Sequence, residues 1–462
     1  MHGVFEMAAA FERYHIETKD AVLKIKFPSK FIVKRYNNCL NVQECTQTCI
    51  YDVHKRKDDG QVNEPNTDLC RGCHLCTLVC PKNGLVLQIN PDFETVGDSY
   101  FTPDRMKTIS FEAETGRVPV SGTGYKGLFA GKGFDGIWFD FSEIVRPTRD
   151  GIHGREYIST SVDLGRKLPY LRFNNSGILH SQIPQTIEIP IPMILDATCP
   201  SANKDSLRLA VVKAALKLKT FAIVKADEYS NGLIAYASNI IPRLPSEHVE
   251  TFTHLIKISQ IIEIEIQNKE KIIDLLEQIK TLNQNVLVSV RLPYDETSVE
   301  QALMLTKSGV DILHFYLPDD ICIQDPERIV TSIRKVHTSL VDAGVRDEIT
   351  FISAGGIAEA AHVPKSIILG ADAVSIGRAY HIALGCKTCY RKNHTSDCPL
   401  KIEEEESEIV SQRIINLIGA WRDQFLEVLG GMGLREVRRQ RGERGRTLFY
   451  EELEEKTFGE DR

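Results

Sequence analysis

The sequence predicts an α/β protein, a (β/α)8 TIM barrel preceded by a small cysteine-rich domain. Two observations carry this. From about Ile187 onward, short apolar, β-branched runs alternate with longer amphipathic stretches. Upstream, seven cysteines crowd into the first eighty residues with the spacings of metal ligands.

In chain order, residues 1–38 form a short leading segment and 39–90 the cysteine-rich domain. The Gly/Arg/Asp/Thr-rich stretch 91–185 has few periodic runs and reads as an irregular connection. Residues 186–400 form the barrel and 401–462 a helical C-terminal segment.

The second cysteine run is Cys70-x2-Cys73-x2-Cys76-x3-Cys80-Pro81, the spacing of bacterial ferredoxins. The first is Cys39-x5-Cys45-x3-Cys49, with Val42 where a second ligand would stand. In two-cluster ferredoxins the fourth cysteine of each run ligates the other cluster. Cys70, Cys73, Cys76 and Cys49 would then hold a [4Fe–4S] centre, and Cys39, Cys45 and Cys80 an incomplete one. Three ligands favour [3Fe–4S], or [4Fe–4S] with a labile iron. Structural zinc is the competing assignment, since C-x2-C pairs also bind zinc.

Seven barrel strands are expected: Pro192–Ala197, Thr220–Ala226, Ile261–Ile266, Val286–Leu292, Asp311–Leu317, Thr350–Ala354 and Ala373–Gly377. An eighth is weakly marked near Leu233–Ile241. Continuous apolar strands alternating with helices indicate a parallel sheet covered on both faces. Helices are expected at Lys204–Leu218, Lys269–Thr281, Ser298–Ser308, Pro326–Ala343, Ala358–Leu369 and Ile409–Leu429.

The last two strands end in Ser353-Ala-Gly355-Gly356 and Ser375-Ile-Gly377-Arg378. Loops after strands 7 and 8 of such barrels commonly cradle a phosphate. Glycine admits the backbone closely, and Arg378 adds a charge-assisted contact. Turn glycines with no ligand are the alternative. In a chain with iron–sulfur centres, the fitting phosphate is that of FMN, bound by Ser353, Gly355, Gly356, Ser375, Gly377 and Arg378. A third cysteine set, Cys386-x2-Cys389-x8-Cys398, follows at once. It could hold a cluster within electron-transfer reach of a flavin, or a zinc knuckle.

Net charge is −7, with 26% charged and 42% hydrophobic residues, which points away from a nucleic-acid partner. No apolar run reaches the roughly 18 residues of a membrane span. No export signal is apparent, so a cytoplasmic location is expected. No G-x-G-x-x-G follows a strand, so direct NAD(P)H binding is not expected.

Four stretches resemble the FMN-binding domain of glutamate synthases: Ile144–Gly165, Ser353–Gly356, Gly370–Arg378 and Ala383–Cys386. The nearest kind is the short, ferredoxin-fused type of archaea and anaerobic bacteria. The resemblance implies an FMN-bearing barrel beside an iron–sulfur cluster. It also implies reductive amination of 2-oxoglutarate or a related small carboxylate, with electrons from a ferredoxin-like donor.

This sequence departs from the family at the ring and substrate end. The first strand ends Leu195-Asp-Ala-Thr-Cys-Pro-Ser201, a family lysine is Glu265, and another beside the flavin is Arg291. Arg291 is the expected catalytic residue, though an arginine cannot act as a general acid. Asp196, Lys225, Asp227 and Glu228 are candidate substrate contacts by strand-end position. A glutaminase domain is not expected, so ammonia would come from solution or a partner subunit. The alternatives are an electron-transfer subunit of a larger redox complex with no keto-acid substrate, and a barrel that no longer holds flavin. The chain is expected to be an oligomer or a complex subunit.

Overall fold

The computed structural model describes residues 14–23, 27–119, 131–141, 157–181, 183–198, 204–266, 272–387 and 407–459. The chain divides into two compact units, one mainly Leu23–Lys107, the other mainly Thr108–Cys386 with the C-terminal segment.

The smaller unit is built on an antiparallel pair, β1 (Phe31–Arg35) and β2 (Leu85–Ile89). Two one-turn helices, α1 (Glu44–Thr48) and α2 (Leu75–Leu78), carry cysteines between them. Their entries repeat each other. Gln43 (φ 67°) and His74 (φ 62°) both adopt the left-handed conformation. Thr46 and Thr77 each donate a 2.7 Å hydroxyl bond back to that residue's carbonyl. The core is small, with Val33, Val53, Val62 and Leu85 packed against Cys45, Cys70 and Cys76. After α3 (Pro91–Glu94) comes α4 (Pro103–Thr115), so the stretch expected to be irregular contains a regular helix. Its buried Met106, Ile109 and Ala113 are i, i+3 and i+7, a pattern that polar neighbours obscure.

In the larger unit, β3 (Ile137–Phe139), β4 (Val162–Gly165) and β5 (Thr186–Ile189) precede the barrel. The barrel strands are β6 (Met193–Asp196), β7 (Ala222–Lys225), β8 (Ile240–Pro245), β9 (Ile261–Glu265), β10 (Leu287–Pro293), β11 (Ile312–Tyr316), β12 (Thr350–Ala354) and β13 (Ala373–Ile376). They close in sequence order, all parallel. Around them run α5 (Lys204–Lys217), α6 (Thr253–Ile258), α7 (Ile272–Leu282), α8 (Ser298–Lys307), α9 (Asp319–Gln324), α10 (Glu327–Asp342), α11 (His362–Ile368) and α12 (Arg378–Ala383). The weakly marked strand starts later than expected. Asn231–Asn239 winds into a 3₁₀ turn, and Ile240-Ile-Pro-Arg-Leu-Pro245 forms the strand despite two prolines and a charge.

The long α13 (Ser407–Gly431) lies against α5, and its polar side chains pin the segments around it. Buried Arg413 donates to the carbonyls of Ala383 (2.7 Å) and Ala21 (2.6 Å). Asn416 Nδ2 donates to Lys19 O at 2.6 Å, and its Oδ1 accepts from Lys19 N. Then β14 (Thr447–Phe449) pairs with β3, followed by α14 (Tyr450–Phe458), so the C-terminal segment is not wholly helical. The β4–β5 ribbon closes the bottom of the barrel. Gly165 N donates to Thr350 Oγ1 at 3.0 Å, at the start of β12.

Gly370, at the turn into β13, has φ +127°, and a Cβ there would lie 2.2 Å from His337 Cγ. Arg346 Nε donates to that ring's Nδ1 at 3.1 Å, so the ring cannot easily withdraw. Gly370→Ala should destabilise the protein by about 1–3 kcal/mol. An unchanged thermal midpoint would show that the ring yields freely.

Candidate functional site

The bottom of the barrel is closed, so the open end is where the strands finish, as in other barrels of this kind. Gly355 sits there at φ +105°, and a Cβ would come 2.5 Å from Leu317 O. Only glycine fits, and Gly356 (φ 69°) continues the turn. In front of Gly377 there is space: a Cβ would meet nothing nearer than Asp196 Cβ at 3.9 Å. Arg378 is buried, its Nη1 3.7 Å from Asp319 Oδ2. The helix after Gly377 has only six residues, so any phosphate grip rests on the glycine backbone and Arg378 rather than a helix dipole.

The two serines differ. Ser353 is committed to the wall, its Oγ accepting from Tyr294 OH at 2.9 Å, with Tyr294 stacked on Phe315. Ser375 pairs in register with Ala354 and Ile194, and its buried Oγ has no hydrogen-bond partner among the described residues.

Below the mouth, charged side chains from five strands form one buried network. Arg243 Nε donates to Glu263 Oε1 at 2.6 Å, and its Nη2 to Asp196 Oδ2 at 3.0 Å. Arg291 Nη1 reaches the same Asp196 oxygen at 3.1 Å, its guanidinium 4.0 Å over the Tyr316 ring. His314 Nδ1 bonds Glu263 Oε2, and Tyr380 OH donates to Asp196 O. Burial alone would raise both acids. Arg243 and Arg291 instead hold Asp196 far below the carboxylate range, and His314 and Arg243 bring Glu263 down to about 2. Burial brings neighbouring His381 down to about 4.

Arg291 lies near the end of β10, tied to Asp196. Arg243, Glu263 and His314 escaped the sequence reading. Their signal was a charge or imidazole inside an otherwise apolar strand, which demands a partner. Of the suggested substrate contacts, Asp196 joins this network and Glu228 holds Arg208 at 3.1 Å. Lys225, Asp227 and Glu265 are exposed. Buried polar atoms without a hydrogen-bond partner remain here: Ser375 Oγ, Arg291 Nε, His314 Nε2 and His381 Nε2.

In the smaller unit the cysteines lie close to one another. Burial raises the Cys70 thiol and pushes Cys76 up to about 11, with neighbouring Cys70, Cys49, Cys73 and Cys45 adding to the rise at Cys76. Burial also raises Cys45, with Cys39 and Cys80 adding to the rise. Cys39, Cys45 and Cys80 line a small cavity, and Val42 is in its wall. Gly84 N donates to Cys80 Sγ at 3.2 Å. Aligning Gln43 with His74 sets Val42 opposite Cys73. All seven thiols are free of disulfides. Cys386 is buried after α12, while Cys389 and Cys398 lie outside the described residues.

Residues 327–435 match the family model described as a conserved region in glutamate synthase. An archaeal-type glutamate synthase [NADPH] of Dehalococcoides mccartyi is 26% identical, covering 93% of this chain and 98% of its own. The archaeal glutamate synthase [NADPH] of Archaeoglobus fulgidus is 24% identical over 90% and 93%. The glutamate synthase [NADPH] large chain of Azospirillum brasilense is 21% identical, over 37% of this chain and 12% of its own.

The buried groups set a pH profile. His381 and His54 sit near 4 in the fold against an ordinary 6.5, so both are neutral there, and stability falls as pH drops from 6.5 towards 4. Glu263 lies near 2 against 4.5, so its contribution is complete above pH 4.5 and lost as pH falls through about 2. Urea midpoints measured against pH should decline in these two stages. Glu263→Gln should cost about 3–5 kcal/mol at neutral pH by stranding Arg243 and His314. A variant as stable as the parent would mean the network is not coupled.

Proposed function

We propose, for a chain that belongs to the glutamate synthase family, that it is an iron–sulfur flavoprotein carrying out reductive amination of 2-oxoglutarate or a related small carboxylate. What carries this reading is the barrel mouth. Glycine backbone at Gly355, Gly356 and Gly377 lies beside Arg378, and buried Ser375 Oγ and Arg291 Nε wait for a polar ligand. Those residues fit FMN, with Gly355, Gly356, Gly377 and Arg378 on its phosphate. When bound, FMN would supply hydride, and clusters on the two cysteine sets would supply electrons singly.

The remaining roles belong to this chain's own side chains. Arg291 and Arg243 offer guanidinium groups for a substrate carboxylate, which would compete with Asp196 for them. Neither can give up a proton near neutral pH. His314 is hydrogen-bonded to Glu263 through Nδ1, and its Nε2 has no hydrogen-bond partner among the described residues. Cys49, Cys70, Cys73 and Cys76 make a four-thiol set suited to a [4Fe–4S] centre, and Cys39, Cys45 and Cys80 a three-thiol set suited to [3Fe–4S]. Cys386, Cys389 and Cys398 would serve a further cluster. The electron donor would be a ferredoxin-like protein or subunit, and ammonia would arrive free or from another subunit.

One observation favours the second reading, an electron-transfer subunit. Both arginines are already neutralised by Asp196 and Glu263, so the substrate end is satisfied without substrate. Anaerobic mixing separates the two. Dithionite-reduced protein should show fast flavin reoxidation on adding 2-oxoglutarate with ammonium, and glutamate should appear. Flavin that reduces but ignores both compounds would leave the conduit. Gly377→Val should purify without flavin, and retention of flavin would remove the phosphate assignment. In the oxidised protein, Val42→Cys should replace the EPR signal of a three-iron centre with a diamagnetic four-iron one. An unchanged spectrum would refute the three-thiol assignment.

A further inference from the structure

In the smaller unit, Arg35 is a cation with no carboxylate partner among the described residues. We propose that Arg35 is the counter-cation of the centre held by Cys39, Cys45 and Cys80, and that its fixed charge raises the reduction potential of that centre. The proposal rests on the iron–sulfur reading above, and its test separates the two.

Arg35 closes β1, just ahead of Cys39. Its guanidinium is held firmly, but only by neutral groups. Nη1 donates to the carbonyls of Val62 (2.9 Å) and Asn63 (2.7 Å), and Nη2 lies 3.5 Å from His54 Nδ1. Burial, helped by Arg35 itself, brings His54 down to about 4, so this imidazole carries no charge near neutral pH. Arg35 Nε is buried and has no hydrogen-bond partner among the described residues. The residue as a whole is partly buried. A charge withdrawn from water in this way calls for an anion.

The cysteines can supply it. Arg35 lines the same small cavity as Cys39, Cys45 and Cys80. The other charged residues of that lining, Glu44 and Lys82, are exposed. Arg35 also pulls the Cys45 thiol down against the burial that raises it. Val42, in the same wall, adds an apolar side chain and no charge.

Three thiolates around an iron–sulfur core make an anion, and one-electron reduction adds one more negative charge. A fixed cation beside it stabilises the reduced form more than the oxidised form, which moves the midpoint upward. Arginine suits the task because it stays protonated whatever charge the centre carries. Its two carbonyl bonds keep the guanidinium from swinging out to solvent, as outer partners of a metal centre do.

The test is an anaerobic redox titration of the full-length protein followed by EPR, with Arg35→Gln and Arg35→Lys beside the parent. Arg35→Gln should disfavour reduction of the three-iron centre at least tenfold, a fall of about 59 mV in midpoint for one electron. Arg35→Lys keeps the charge and should retain most of the parent's midpoint. The four-iron centre, whose cysteines do not line that cavity, should move less. Equal midpoints in the parent and in loaded Arg35→Gln would overturn the role of Arg35 and leave the cluster assignment standing. If Arg35→Gln takes up no three-iron centre, Arg35→Lys decides. Uptake with a parent-like midpoint would show that the charge is what the centre needs, whereas loss in both variants would show that it needs the planar fork and would overturn the proposal. A parent with no three-iron signal would overturn the cluster reading, and the proposal with it.

Discussion

Everything at the open end of the barrel depends on charges largely withdrawn from water. Asp196, Arg243 and Glu263 are buried and Arg291 is partly so, and a charge withdrawn from water must be matched by another. Asp196 is the shared element, since one of its oxygens serves both arginines. A carboxylate ligand arriving here would not fill an empty site but replace one anion with another. Its affinity would reflect the difference between two ion pairs, which makes the mouth selective for ligands that match Asp196 in charge and improve on its geometry.

The barrel's two ends are distinguished by backbone chemistry as well. At the bottom, Thr350 Oγ1 both accepts from Gly165 N and donates to Gly165 O, so the β4–β5 ribbon is stitched to the start of a strand. At the top, glycines replace side chains and polar atoms stay unmatched.

The barrel was legible in the sequence because its strands are continuous apolar runs, and seven were recognised close to their true limits. The eighth was misplaced because Pro242, Arg243 and Pro245 contradict the local rules for a buried strand, and neighbouring strands override them. The glycines at Gly355 and Gly377 were legible through spacing. The Arg243–Glu263–His314 chain was not, because its members are 20 and 51 residues apart and only barrel closure makes them neighbours. Helix α4 was missed for another reason. Its apolar face is narrow, and its partners are polar groups on α13, such as Trp421 Nε1 donating to Glu112 at 2.9 Å.

The pairing of β3 with β14 joins Phe139 to Thr447, more than 300 residues later. At synthesis rates of about 5–20 residues per second, Ile137-Trp138-Phe139 would wait about 15–60 s for its partner to be translated. For that interval it is an unpaired apolar strand edge, open to any other extended chain nearby. The newborn polypeptide would therefore be a natural client for a chaperone that shields such edges, and crowded translation would be its most aggregation-prone moment.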